Sequence, residues 1–189
     1  MKSLAQIATQ CGLDYRGAAD ITGATHDSRR VQPGDLYLAL PGAHHHGIEY
    51  VAQALAAGAL AIASDEAALA SVPDVPALVL TNPRVDMAAV AAAVHGNPER
   101  ELTIIGVTGT NGKTTVSLLV RHMLRAHGLK VGVIGTLGAW IDDDVIPGAR
   151  TTPESTDLYA LFARMRDKDV THVVMEVSSH GLALHRVDG

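Results

Sequence analysis

The chain has little of what several common kinds of binding surface require. It holds one cysteine, Cys11, so no intrachain disulfide can form and a reducing, cytoplasmic setting is the expectation. Aromatic residues make up 3% of the 189 positions, with one Trp and one Phe. That is too few for the stacked rings of a single-strand nucleic-acid platform. Positive charge is also in deficit. Fifteen Lys and Arg stand against 20 Asp and Glu, a formal net charge of −5, whereas nucleic-acid binders normally show a basic face. Long apolar runs are missing as well. The N-terminal stretch, Met1 to Tyr15, lacks the continuous apolar core of a signal peptide. The most apolar stretch, Val51 to Ser64, is broken by Gln53 and Gly58 and is too short to cross a bilayer. No nucleic-acid partner and no membrane insertion are expected.

Hydrophobic residues make up 47% of the chain, enough for the cores of one large domain or two small ones. The segment His95-Gly96-Asn97-Pro98 divides it: Pro98 forbids helix continuation and Gly96 suits a helix C-cap. We expect an N-terminal domain over 1–97 and a second domain over 98–189. Both halves alternate short strands with helices, which predicts an α/β fold with parallel sheets. In the first half, Leu4, Ile7, Ala8 and Cys11 share a helical face. Asp35 to Leu40, Leu60 to Ala63 and Ala77 to Leu80 read as strands, and a helix starts near Pro83. In the second half, Leu102 to Val107 is a β-branched run of the kind buried on both faces of a sheet. Lys130 to Ile134 and His172 to Val177 read as two more buried strands. Trp140-Ile141 and Val145-Ile146 suggest a hairpin about Asp142 to Asp144, and Ser155 to Arg166 a helix with Asp157 in its first turn, where an anion suits the dipole. Three parallel strands make a small sheet, so the second domain is expected to be incomplete.

The chemistry concentrates at Gly106-Val-Thr-Gly-Thr-Asn-Gly-Lys-Thr-Thr115, between a strand and a helix, the setting of a phosphate-binding P-loop. Gly109 and Gly112 let backbone N–H groups turn inward. The helix beginning near Lys113 adds positive dipole. Lys113 suits the β- and γ-phosphates and the Thr114 hydroxyl suits Mg²⁺. The glycine spacing departs from the strict P-loop pattern, because Val107 stands where a glycine is usual. Glu176, near the end of the last strand, lies where ligands gather in open α/β sheets and can hold Mg²⁺.

Thr108-Gly-Thr-Asn-Gly-Lys-Thr-Thr115 resembles the ATP loop of the Mur ligases. So do Thr151-Thr-Pro-Glu-Ser155, Met175-Glu-Val-Ser-Ser-His-Gly-Leu182 and His185-Arg-Val187. Asp27-Ser-Arg29, Pro33-Gly-Asp-Leu36 and the Gly42 to Gly47 loop resemble the family's UDP-sugar domain. The resemblance covers nearly the whole chain. It implies a small N-terminal α/β UDP-binding domain followed by a truncated P-loop ATPase domain with a parallel sheet. It implies an ATP- and Mg²⁺-dependent amide ligase of peptidoglycan biosynthesis, working through an acyl phosphate. The segments point to the members that add meso-diaminopimelate or L-lysine to UDP-N-acetylmuramoyl-L-alanyl-D-glutamate. Gly109, Thr110, Asn111, Gly112, Lys113, Thr114 and Thr115 would bind ATP, and Thr114 and Glu176 the metal. Lys113 and Glu176 would serve catalysis. Ser28, Ala43, His44, His45, Thr151, Thr152, Ser178 and Arg186 would contact the UDP-muramoyl substrate. The rest of the central domain and the domain that selects the amino acid are missing, so ligation by these residues alone is not expected.

Two readings compete. One is another Mur-type ligase, adding D-alanyl-D-alanine, or a folylpolyglutamate synthase. The other is a non-catalytic nucleotide- or UDP-sugar-binding module. The three histidines His44 to His46 are a weak metal motif, since consecutive loop histidines rarely converge on one ion. His180 reads as structural rather than catalytic. Asp142 to Asp144 reads as a solvated turn, because EF-hand spacing is absent.

Overall fold

The structure is a computed structural model that describes every residue except Ala43, Pro73 and Ala149. The chain folds as two compact units, Met1–His95 and Gly96–Gly189.

In the first unit, β1 (Lys2–Ser3) and β3 (Asp20–Ile21) form a two-residue antiparallel ribbon around α1 (Leu4–Cys11) and β2 (Asp14–Arg16). Ser3 caps α1 in a reciprocal box with Gln6, and Gly12 closes it in the left-handed conformation, each meeting backbone groups the helix leaves unpaired. Then follow β4 (Gly23–Thr25), β5 (Asp35–Leu38), α2 (Val51–Ala56), β6 (Ala61–Ser64), α3 (Glu66–Leu69), β7 (Ala77–Val79) and α4 (Pro83–His95). The sheet order is β2-β7-β6-β5-β4. All neighbours are parallel except β2 with β7. Side chains alternate between two cores, as strand geometry dictates. Leu36, Leu38, Ala61, Ala63 and Leu78 pack with Leu4, Ile7, Met87 and Val90 of α1 and α4. Tyr37, Ile62 and Ala77 face the other way, onto Val51, Ala54 and Leu69. Three of the four residues of the inner strand β6, Ala61, Ala63 and Ser64, are small, and this lets a thin sheet be covered closely on both sides.

The second unit runs β8 (Thr103–Val107), α5 (Lys113–Ala126), β9 (Val131–Gly135), β10 (Gly138–Ile141), β11 (Asp144–Ile146), α6 (Ser155–Arg166), β12 (His172–Glu176) and α7 (Ser179–Ala183). Its sheet order is β11-β10-β9-β12-β8. The three strands β9, β12 and β8 are parallel, and the hairpin β10–β11 extends the sheet antiparallel with Trp140 opposite Val145. The hairpin turn is tied to α5: Arg125 Nη1 donates to Asp143 at 2.7 Å, and Arg121 Nη2 donates to the Asp142 carbonyl at 2.7 Å. Arg121 also lies 4.8 Å from the Trp140 ring centroid, a cation–π contact.

One expectation fails here. Among the described residues the run Leu102 to Val107 is not buried on both faces. Among the described residues β8 is the end strand of its sheet and pairs only with β12. Thr103, Ile104 and Gly106 are exposed. The doubly covered position belongs to β12, whose Val173 and Val174 are fully buried. Val116, Leu119 and Met123 of α5 are also exposed, and their spacing puts them on one helical stripe.

Candidate functional site

The glycine-rich loop leaves β8 and enters α5. Gly109 at φ 141° and Gly112 at φ 79° hold backbone conformations that a Cβ would strain. Gly112 caps α5 with no side-chain hydrogen bond, so the N–H groups of the first turn keep their donors and the positive end of the helix dipole for an incoming anion. Lys113 Nζ donates to the Gly109 carbonyl at 2.7 Å, which folds the ammonium back over the loop. Thr110, Asn111 and Thr115 are exposed.

Glu176 ends β12 and is 2% exposed. Its Oε1 accepts from the Thr114 hydroxyl at 2.9 Å and from the Thr136 N–H at 3.0 Å. Its Oε2 accepts from the Thr136 hydroxyl at 3.1 Å. The parallel pairing of β9 with β12 produces this meeting, because Met175 lies opposite Ile134 and the next residue of each strand is Glu176 and Gly135. A Cβ on Gly135 would fall on the Glu176 carboxylate. A hydroxyl and a carboxylate side by side form the hard oxygen pair that suits Mg²⁺, and the residues therefore fit that ion beside a phosphate loop.

A second layer holds the end of β12. The Thr152 hydroxyl donates to the Glu176 carbonyl at 3.0 Å and accepts from the Ser178 N–H at 3.0 Å. Thr152 is fully buried, whereas Thr151 is half-buried with its Oγ1 3.0 Å from that of Thr136. Ser178 Oγ caps α7 by accepting from the Gly181 N–H. Arg186 is buried: its Nη1 donates to the Thr152 carbonyl at 3.3 Å and its Nε lies 2.9 Å from Glu154 Oε1. His180 is exposed on α7. Lys113, Thr114, Thr151, Thr152, Glu176, Ser178 and Arg186 thus lie within one unit, linked by hydrogen bonds except at Lys113. Thr136 and Glu154 received no role from the sequence, and both prove central to this network.

The remaining candidates belong to the first unit. Ser28 is buried and its hydroxyl donates to Gln53 Oε1 at 3.1 Å. Beside it, Arg29 donates twice to Asp27, at 2.8 and 2.7 Å, and these bonds hold the Asp27 carboxyl down at about 2. Arg30 also has interactions of its own. His44 is exposed, and His45 Nδ1 lies 3.2 Å from Glu49. His46 instead closes the loop, accepting from the Ile48 N–H at 3.0 Å and lying 3.6 Å from Asp65. Ala43, also a substrate candidate, lies outside the described residues.

Comparison with known proteins decides the family. The family described as "Mur ligase family, catalytic domain" matches residues 20–106, and "Mur ligase middle domain" matches 107–189. The chain belongs to the Mur ligase family. It is 51% identical over 188 residues to the UDP-N-acetylmuramoyl-L-alanyl-D-glutamate–2,6-diaminopimelate ligase of Streptomyces coelicolor, covering 98% of this chain and 37% of that relative. It is 43% identical to the UDP-N-acetylmuramyl-tripeptide synthetase of Leifsonia xyli, over the whole of this chain and 38% of the relative. A solved UDP-N-acetylmuramoyl-L-alanyl-D-glutamate–2,6-diaminopimelate ligase superposes with a TM-score of 0.73 at 29% identity, over 89% of this chain and 34% of that one. The chain therefore spans little more than a third of the Mur ligases it matches.

Proposed function

We propose that this chain is the nucleotide- and UDP-sugar-binding part of an ATP-dependent Mur ligase that joins an amino acid to UDP-N-acetylmuramoyl-L-alanyl-D-glutamate. The observation that carries this is the contact of the Thr114 hydroxyl with Glu176 at 2.9 Å, in the first turn of a helix that the glycine loop enters with no side-chain cap. The unit Gly96–Gly189 would bind ATP through Gly109 to Thr115, with Lys113 aligned on the phosphates and Thr114 and Glu176 holding Mg²⁺. When bound, the ion offsets negative charge on the phosphoryl group being transferred. Lys113 contributes positioning and charge complementarity to the same group. Thr151, Thr152, Ser178 and Arg186 would hold the substrate's sugar and peptide portions. Ser28, His44 and His45, with Ala43, would contact the UDP-muramoyl part from the unit Met1–His95.

The names of the relatives favour diaminopimelate as the amino acid, with L-lysine as the alternative. Such chemistry belongs to the cytoplasm, and among the described residues no helix is long and apolar enough to cross a membrane. The test is ADP release from ATP by the whole protein. Release that requires both UDP-N-acetylmuramoyl-L-alanyl-D-glutamate and diaminopimelate supports the proposal. Release stimulated instead by D-alanyl-D-alanine with the tripeptide precursor would assign the neighbouring ligase step. No nucleotide binding at all would refute both.

A further inference from the structure

Glu176 is fixed by one residue at both of its oxygens. Thr136 donates its N–H to Oε1 at 3.0 Å and its hydroxyl to Oε2 at 3.1 Å. Behind the carboxylate lies Gly135, where a Cβ has no room. The carboxylate is thus boxed by backbone on one side and gripped by Thr136 on another. Thr136 is itself held. Its single hydroxyl proton goes to Glu176, so the Thr151 hydroxyl at 3.0 Å must be the donor to Thr136 Oγ1. A directional chain results, from Thr151 to Thr136 to Glu176, with Thr114 donating to the same carboxylate from α5.

Resting on the nucleotide reading above, we infer that Thr136 is a positioning residue that orients Glu176 for the magnesium ion of the bound nucleotide. A carboxylate that must serve as both hydrogen-bond acceptor and ligand gains precision when a fixed donor occupies part of each oxygen. Thr136 leaves the outer lone pair of Oε2 available and prevents rotation about the terminal torsion, which is otherwise soft. Thr136 is exposed, so its substitution leaves the core packing intact.

The test titrates Mg²⁺ into the chain at fixed mant-ATP, comparing the natural protein with Thr136→Val, Thr136→Ser and Thr151→Val. Nucleotide affinity is also measured in EDTA, and thermal unfolding is followed by Trp140 fluorescence. Thr136→Val is expected to raise the Mg²⁺ concentration at half-saturation by about tenfold or more, with affinity in EDTA unchanged. Thr136→Ser, which keeps the hydroxyl, should titrate like the natural chain, and Thr151→Val should fall between. If Thr136→Val does not fold, Thr136→Ala makes the same comparison. A Thr136→Val titration matching the natural chain overturns the inference. So does equal weakening by Thr136→Ser, or a loss in EDTA as large as the loss in Mg²⁺. A natural chain that binds mant-ATP with no response to Mg²⁺ would instead remove the metal assignment to Thr114 and Glu176, and the inference with it.

Discussion

Arg186 Nε lies 2.9 Å from Glu154 Oε1, and both residues are buried. The N–H is not aligned on the oxygen, so charge rather than a directed hydrogen bond holds the pair. Arg150 Nη1 reaches the same oxygen from the surface at 2.8 Å. Removing one member of a buried pair leaves the other uncompensated, at a cost of about 3–5 kcal/mol, whereas replacing both by apolar groups is often nearly neutral. Glu154→Ala should therefore lower the urea midpoint markedly, and Glu154→Leu with Arg186→Met should recover most of the loss. Trp140 is the only tryptophan and lies in the unit Gly96–Gly189, so its fluorescence isolates the relevant transition. An unchanged midpoint in Glu154→Ala would show the pair to be structurally idle.

Lys113 offers a cleaner separation of binding from folding. Among the described residues it donates to the Gly109 carbonyl, and it is half-exposed. Bonds to charged groups are worth about 1.5–3 kcal/mol, so Lys113→Ala should weaken ATP binding by about 10- to 100-fold with the urea midpoint unchanged. Isothermal titration calorimetry reads the affinity. Equal affinities would exclude Lys113 from the phosphate site.

Gly135 is predicted to be as sensitive as any ligand. Gly135→Ala places a methyl on the Glu176 carboxylate, and overpacking of this kind costs about 1–3 kcal/mol. The variant should lose Mg²⁺-dependent strengthening of nucleotide binding while keeping nucleotide affinity in EDTA. If both persist, the carboxylate has another resting place.

Cys11 supplies a test in the other unit. Burial, then the nearby Asp86 charge, pushes its thiol up to about 11 from 9.0. The fold thus favours the protonated thiol, a contribution fully present below pH 9 and lost as pH rises from 9 to 11. Iodoacetamide alkylation of the folded chain should accelerate with a midpoint near pH 11, moving to about 9 in denaturant. A folded-state midpoint at 9 would contradict the burial.

Much of this was legible in the sequence, and for local reasons. The glycine loop, α5, α6 and the hairpin carry their own signals in turn residues, caps and periodicity, and Glu176 stood out as an acid at a strand end. Other elements had no such signal. Asp14–Arg16 forms β2 with every residue exposed, so no alternation marks it. The single neighbour that β8 has among the described residues is a matter of strand order, which hydrophobicity does not encode. Thr136 is an ordinary threonine until β9 and β12 pair in parallel and bring it against Glu176. Glu154 carried no signal of its own beyond a nearby Arg150, and only the return of the chain at Arg186 gives its charge a buried partner.

The end position of β8 bears on how the loop keeps its shape. Backbone order is borrowed from neighbours, and a strand paired along one side opens at lower free energy than one paired along both. Gly109 to Gly112 hang from that strand, while Glu176 sits on the doubly paired β12. The two halves of the site are therefore unequal in rigidity. Amide hydrogen exchange should show β8 and its loop opening well before β12.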